Sequence, residues 1–346
     1  MKKSLALFLA VLMLLSCFSI AAFAQTGNTK ALPLSAGIDA LRNQFEKGEG
    51  SELNGYTIDY RYYSPVANEE DSTKYPLVIW LHGMGQGFSE GMQLKENDIA
   101  FWSSSEFQSR FPASGAFILV PRAPELKNLC WSDSMIEPLK KAIDEFIAAN
   151  YDNIDFSRIY IGGFSMGGKM TLKMAIAYPE MFAAIFPICP AWTPSAKQTA
   201  HIADIPVWLT SGAQDFVVNY NGVSSGWKNI IASTNVAENC RFSTLAKTAY
   251  PDGKVSSNAH EAWYSVTYDM FSVTNEAYPY LSTVDGNGNT VTLTYPDGMI
   301  SWLSQFTSDY DGTASEGTGN IKARIGLIDT LIKLFAKIRV FFENLF

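Results

Sequence analysis

Short, almost unbroken apolar runs recur along the middle of the chain, and most of them stop at a glycine, proline or histidine. Tyr75–Leu81 (YPLVIWL) ends at His82-Gly83, Ala116–Val120 (AFILV) at Pro121, and Arg158–Ile161 (RIYI) at Gly162-Gly163. Ala183–Ile188 and Ile205–Thr210 continue the series, and Gly55–Val66 adds a β-rich stretch with partial alternation. Runs of four to eight apolar residues suit strands covered on both faces. Helical patterns lie between them. Ser134–Asn150 places Met135, Leu139, Ala142, Ile143 and Phe146 on one face, and Met166–Tyr178 carries Met170, Leu172, Met174 and Ala175. This alternation predicts a doubly wound, mostly parallel α/β sheet with right-handed crossovers. Ligands of such sheets bind beyond the carboxyl ends of the strands. No internal repeat is found.

The two ends stand apart from this pattern. Met1-Lys2-Lys3 precedes an apolar run from Leu5 to Ala24. A lysine pair before so short a run reads as an export signal rather than a membrane span, so residues 1–24 are expected to be a signal peptide. Small residues in Ala22-Phe23-Ala24 place cleavage before Gln25. A lipoprotein site at Leu14-Leu15-Ser16-Cys17 is the competing reading; Leu15 is bulky for its position and apolar sequence continues past Cys17. Residues 311–320 (DGTASEGTGN) are small and polar, as in a flexible linker. Residues 321–346 alternate charge with Ile325, Ile328, Leu331, Ile332, Phe335, Ile338, Phe342 and Leu345. That is a basic amphipathic helix. It is expected to dock on the domain, to self-associate, or to touch a membrane surface.

The formal charge of −8 hides this division: residues 25–320 hold 19 Lys/Arg against 32 Asp/Glu, while 321–346 hold five against two. An acidic body argues against nucleic-acid binding, which needs a basic surface for phosphates. Three histidines and four cysteines, without CxxC or HExxH spacing, leave little for a metal site. No metal or organic cofactor is expected.

The chemistry concentrates around Gly162-Gly163-Phe164-Ser165-Met166-Gly167-Gly168, between the RIYI strand and the Met166–Tyr178 helix. A GxSxG in that context is a nucleophile elbow, a turn too tight for side chains beside the serine. The simpler reading is a glycine-rich turn without chemistry. His82-Gly83-Met84-Gly85-Gln86-Gly87 follows the earlier YPLVIWL strand, where a glycine-rich loop can supply a second backbone donor to an oxyanion hole. Met166 N–H and Met84 N–H are the candidate donors, with the rest of His82–Gly85 as alternatives to Met84. His82 itself is expected to order the loop.

A serine nucleophile of this kind is followed in the chain by its acid and then its histidine. His201 and His260 alone lie downstream. Asp215 stands just past the Ile205–Thr210 run, with His260 45 residues later in a polar loop. Ser165, Asp215 and His260 fit the order, whereas His201 precedes Asp215. Asp204 and Asp252 are rival acids.

The LHGMGQG loop, GGFSMGG, SGAQDFVV and NAHEAW together resemble the secreted serine esterases of the α/β-hydrolase superfamily. Within it the chain is similar to the polyhydroxybutyrate-depolymerase, feruloyl-esterase and prolyl-oligopeptidase-like esterase group. The resemblance spans roughly residues 55–305, in a domain expected over 25–310. It implies Ser165 as nucleophile, His260 as general base then acid, and Asp215 as its orienting partner. With export, it implies feruloyl or acetyl esters of plant polysaccharide, or similar small esters, as substrates. A prolyl-oligopeptidase-like serine peptidase is the enzymatic alternative, and a catalytically silent surface-binding protein on the same scaffold is the other.

Trp131, Trp192 and Trp263 flank the expected strand ends and are candidate platforms for a sugar or phenolic ring, or else core. Between His260 and a last helix near Met299–Phe306 lies an insert, Thr274–Pro296, that reads as a β-hairpin (YPYLSTV, DGNGN, TVTLTYP). It is expected either to wall the pocket or to lie away from it. Cys130, Cys189 and Cys240 are odd in number. They allow one disulfide or three small buried apolar residues, the second being preferred.

Overall fold

A computed structural model describes residues 36–313, apart from 96, 125–129, 250–254, 257, 270, 272–279 and 294–297. The expected signal peptide, most of the linker and the 321–346 helix lie outside the described residues.

Nine strands form one sheet in the order β1-β2-β4-β3-β5-β6-β7-β8-β11. They are β1 (Glu46–Glu49), β2 (Asp59–Tyr63), β3 (Tyr75–Leu81), β4 (Phe117–Pro121), β5 (Ile154–Phe164), β6 (Ala184–Ile188), β7 (Trp208–Gly212), β8 (Arg241–Leu245) and β11 (Leu281–Asp285). A separate ribbon pairs β9 (Thr248–Ala249) with β10 (Val255–Ser256). The six strands from β4 to β8 are parallel, while β1, β2 and β11 join antiparallel. The doubly wound, mostly parallel sheet is therefore borne out.

The unbroken apolar runs have a direct cause. In β3, Leu77, Ile79 and Leu81 enter the core on one face and Val78 and Trp80 the core on the other. With helices and loops covering both faces, period-two alternation has no polar side to show. The Ile136–Ala149 and Met166–Ala177 helices cover the first face, matching their expected spans.

The edges were less visible in the sequence. β1 is EKGE, mostly exposed and paired only with β2, so it carries no apolar signal. β8 is RFSTL, part polar because it lies next to the antiparallel edge. The insert does turn back on itself: Val284 bridges Thr290, and Val291 N–H donates to the Thr283 carbonyl at 2.9 Å. Its first arm, β11, extends the main sheet beside β8, with Leu281 opposite Leu245 and Asp285 opposite Arg241. The Gly286–Asn289 turn thus lies where β8 begins, at the sheet edge opposite the strands' carboxyl ends. This part of the insert cannot wall a pocket there. Its second arm forms a bridge rather than a full strand.

The last described helix, Met299–Leu303, is capped from a distance. Asp269 accepts from Met299 N–H (2.5 Å) and pairs with Arg110 (3.2 Å). Its side chain is fully buried, and that burial pushes its pKa up to about 6, against Arg110 and the Met299 and Ile300 N–H groups. A folded pKa above the unfolded one gives a contribution that is lost as pH rises through the folded value. Asp269 should therefore cost about 1 kcal/mol of stability between pH 5 and pH 8. Urea unfolding of wild type and Asp269→Asn across that range checks this. The stability difference between them should shift in the variant's favour as pH rises, and a pH-independent difference would refute it.

Candidate active site

Strand order reverses between β3 and β5, whose neighbours β4 and β6 lie on opposite sides. Such a switch point opens a crevice at the carboxyl ends. The His82 loop leaves β3 there, and Ser165 leaves β5.

Ser165 alone makes the turn between β5 and the Met166–Ala177 helix, with φ 57° and ψ −111°. That left-handed φ is strained for a residue with a Cβ, and surrounding bonds must hold it. Ser165 N–H donates to the Ile188 carbonyl (2.8 Å), and its own carbonyl accepts from Lys169 N–H (2.9 Å) and Ala191 N–H (3.0 Å). The glycines follow from close approach. A Cβ on Gly163 would lie 2.6 Å from the Leu81 carbonyl oxygen, and one on Gly167 would overlap that oxygen and lie 2.6 Å from the His82 carbonyl oxygen. The helix start thus packs directly on the β3 exit.

His260 sits on the short turn Ala259–Glu261, capped by Asn258, whose side chain accepts from His260 N–H at 3.1 Å. Its Nε2 lies 3.2 Å from Ser165 Oγ and its Nδ1 2.7 Å from Asp215 Oδ2. Asp215 follows β7. Its other oxygen, Oδ1, accepts from Val217 N–H (2.8 Å) and Val218 N–H (2.9 Å). Burial alone would raise the Asp215 pKa, but the His260 hydrogen bond and these two N–H groups outweigh it and hold the carboxyl below its ordinary value. An ionised Asp215 accepts a hydrogen bond from Nδ1–H, which holds the proton on Nδ1 and leaves the Nε2 lone pair facing Ser165. The structure thus brings Ser165, His260 and Asp215 into one hydrogen-bonded line. Asp204 instead lies with His201 in the crossover before β7 and accepts from the Asn235 side chain, which follows β7 (2.8 Å). Asp252 lies outside the described residues.

Met166 opens the helix after Ser165, and Met84 lies in the turn after β3. Among the described residues, neither backbone N–H has an acceptor outside the regular elements. The loop carrying Met84 is fixed from below. Gly83 N–H donates to Gln86 Oε1 (2.7 Å). His82 is buried, and burial pushes its pKa down to about 4. Neutral, it donates from Nδ1 to the Gly83 carbonyl (2.7 Å) and accepts at Nε2 from Ala123 N–H (3.0 Å). It ties the loop to the end of β4, as a loop-ordering residue should. Arg122 adds a second tie, pairing with Asp59 (2.6 Å) and donating to the Gly87 carbonyl (3.2 Å). Sequence reasoning missed Arg122, Asp59 and Gln86. Asp59 and Arg122 are 63 positions apart, and nothing local marks either as part of a site.

The three tryptophans separate. Trp131 is 0% exposed and donates its indole N–H to the His82 carbonyl (2.9 Å). It braces the loop from the core and offers no open face, which corrects its reading as a platform. Trp263 is 4% exposed and packs on Phe164, whose ring in turn lies 4.7 Å from that of His260. It too is packing behind the histidine rather than an open platform. Trp192 is half-buried, one residue past the Ala191 N–H that anchors Ser165, with Lys173 over its ring at 4.2 Å. It is the one of the three that remains partly accessible, with its ring against a lysine about two turns along the helix from Ser165.

All three described cysteines are free. Burial pushes the Cys130 thiol up to about 12 and the Cys189 and Cys240 thiols up as well, so none is a ready nucleophile. Cys189, Asp215 and His260 have ligand atoms within 4.8 Å of one another. The last two already bond each other, and the buried thiol keeps its proton.

A solved thermostable esterase superposes on 78% of this chain and 64% of its own at TM-score 0.56, with 24% identity. This chain has the α/β-hydrolase fold. A ferulic acid esterase superposes on 65% of the chain and 95% of its own at TM-score 0.50 and 16% identity, and both likenesses speak to the hydrolase fold alone. The family model for Phospholipase/Carboxylesterase matches residues 119–251. A poly(3-hydroxybutyrate) depolymerase of Ralstonia pickettii is 29% identical over 52% of the chain and 39% of that protein. A bifunctional acetylxylan esterase/xylanase of Neocallimastix patriciarum is 25% identical over 76% and 35%, and a feruloyl esterase B of Neurospora crassa 30% identical over 33% and 38%. The chain spans under half the length of these curated relatives. The relatives are carboxylic ester hydrolases.

Proposed function

We propose that this hydrolase fold carries a serine carboxylic-ester hydrolase that works through an acyl-enzyme. The observation that carries the reading is the line from Ser165 Oγ to His260 Nε2 (3.2 Å) and from His260 Nδ1 to Asp215 (2.7 Å). His260 takes the Ser165 proton as Oγ attacks the ester carbonyl, and Asp215 stabilises the imidazolium that forms. The Met166 and Met84 N–H groups, with the helix N-terminus behind Ser165, stabilise the oxyanion. His260 then protonates the leaving alcohol, activates a water and releases the acid. Feruloyl or acetyl esters of plant polysaccharide, or similar small esters, are the substrates this reading favours, supported by what the relatives are named for. The lysine pair and apolar run at the N-terminus support action outside the cytoplasm, and the amphipathic pattern of 321–346 supports docking on the domain, self-association or contact with a membrane surface.

The test is a fluorophosphonate probe together with an ester panel of p-nitrophenyl acyl esters, methyl ferulate and acetylated xylan. Labelling at Ser165 with turnover of at least one ester is the expected result. A folded protein that takes no label would instead be a silent binding protein. Labelling with cleavage of prolyl peptides and of no ester would make it a peptidase.

A further inference from the structure

Large apolar side chains left in water are informative when they gather at one place. Among the described residues, the exposed ones are Met84, Phe88, Tyr151, Phe216, Val217 and Val255. Four of these six stand on two loops at the carboxyl edge of the sheet. Met84 and Phe88 follow β3, and Phe216 (84% exposed) and Val217 (65%) follow β7. In the sheet, β5 and β6 lie between β3 and β7, so the loops are three strand spacings apart, roughly 14 Å. Ser165 leaves β5 between them.

Neither loop is slack. Val217 N–H and Val218 N–H are bound by Asp215, so the Phe216-Val217 pair is displayed by a turn that the acid itself holds. On the other side, Gln86 holds Gly83 N–H and Arg122 holds the Gly87 carbonyl. Phe88 lies across Gly85, where a Cβ would come within 3.1 Å of its ring, and Gly85 has φ +81°. The backbones that carry these side chains are therefore tied down on both flanks of the serine. An ester has an acyl group on one side of its scissile bond and an alcohol on the other, and the two flanks match that division.

We propose that the two apolar loops are specificity elements of the ester cleft, one contacting the acyl group and the other the apolar face of the alcohol. The site then selects bulky apolar acyl groups, such as arylalkenoyl or medium alkanoyl, over acetyl. This rests on the ester-hydrolase reading and narrows its substrate class.

Two substrate series test it. In one, p-nitrophenyl esters lengthen the acyl group from two to six carbons. In the other, acetates of ethanol, butanol and hexanol lengthen the alcohol. The enzymes compared are wild type, Phe88→Ser and the pair Phe216→Ser/Val217→Ser, with thermal unfolding as the folding control. Wild-type kcat/KM should rise up to about fourfold for each methylene that a loop covers. Each variant should flatten one series and leave the slope of the other. Slopes unchanged in both variants, both variants flattening the same series, or a wild type that favours acetyl in the first series would overturn the proposal. A wild type that turns over no ester, p-nitrophenyl acetate included, would instead overturn the reading on which it rests.

Discussion

Ser165→Ala is expected to lower kcat on a short p-nitrophenyl ester by roughly 10⁴- to 10⁶-fold, leaving only what oxyanion donors and binding supply. The fold should survive. Alanine keeps the Cβ that Ser165 already holds at φ 57°, so no new backbone strain enters. The Ile188, Lys169 and Ala191 bonds that pin the elbow are all to its backbone. Only the contact to His260 Nε2 is lost, and it is long enough at 3.2 Å to contribute little to stability. Stopped-flow turnover and thermal unfolding separate the two outcomes. A variant with unchanged unfolding and near wild-type kcat would show that another group attacks the ester.

The contrast between what the chain announces and what it conceals has a physical basis. β3 and β5 are buried on both faces, so their apolar runs are continuous and visible. The elbow is visible because Gly163 and Gly167 have no space for a side chain, a constraint that composition records directly. His260 was identifiable because histidine is scarce and chain order excluded His201. The edge strand β1 was hidden, since a strand paired on one side in solvent needs no apolar residues. Trp131 could be read as core or as platform for a related reason. Its sequence position beside a loop is the same for a core brace and a surface platform, and only the bond to the His82 carbonyl tells them apart. The Asp59–Arg122 tie joins strands that are neighbours in the sheet but distant in the chain. Pairing of that kind leaves no periodicity to read.

Asp215→Asn should lower kcat by about 10⁴-fold through the histidine's tautomer, with little change in KM. Asparagine offers one oxygen and one NH₂ where aspartate offers two acceptors. The Oδ1 position already accepts from both Val217 N–H and Val218 N–H. Losing that acceptor would leave two loop donors unpaired, so the amide oxygen takes this place and the NH₂ turns toward His260 Nδ1. A donor facing Nδ1 moves the imidazole proton to Nε2, where it points at Ser165 Oγ. A protonated Nε2 cannot remove the serine proton, and no negative charge remains to stabilise an imidazolium. The loop bonds survive, so thermal unfolding should change far less than kcat. Fluorophosphonate labelling should slow in step with turnover, because it draws on the same base. A loss below tenfold would mean that Asp215 does not set the His260 tautomer, and the acid would have to be sought elsewhere, at Asp252. A comparable loss of stability and activity would point instead to the Phe216-Val217 turn as the element disturbed, since Asp215 serves both that turn and the histidine.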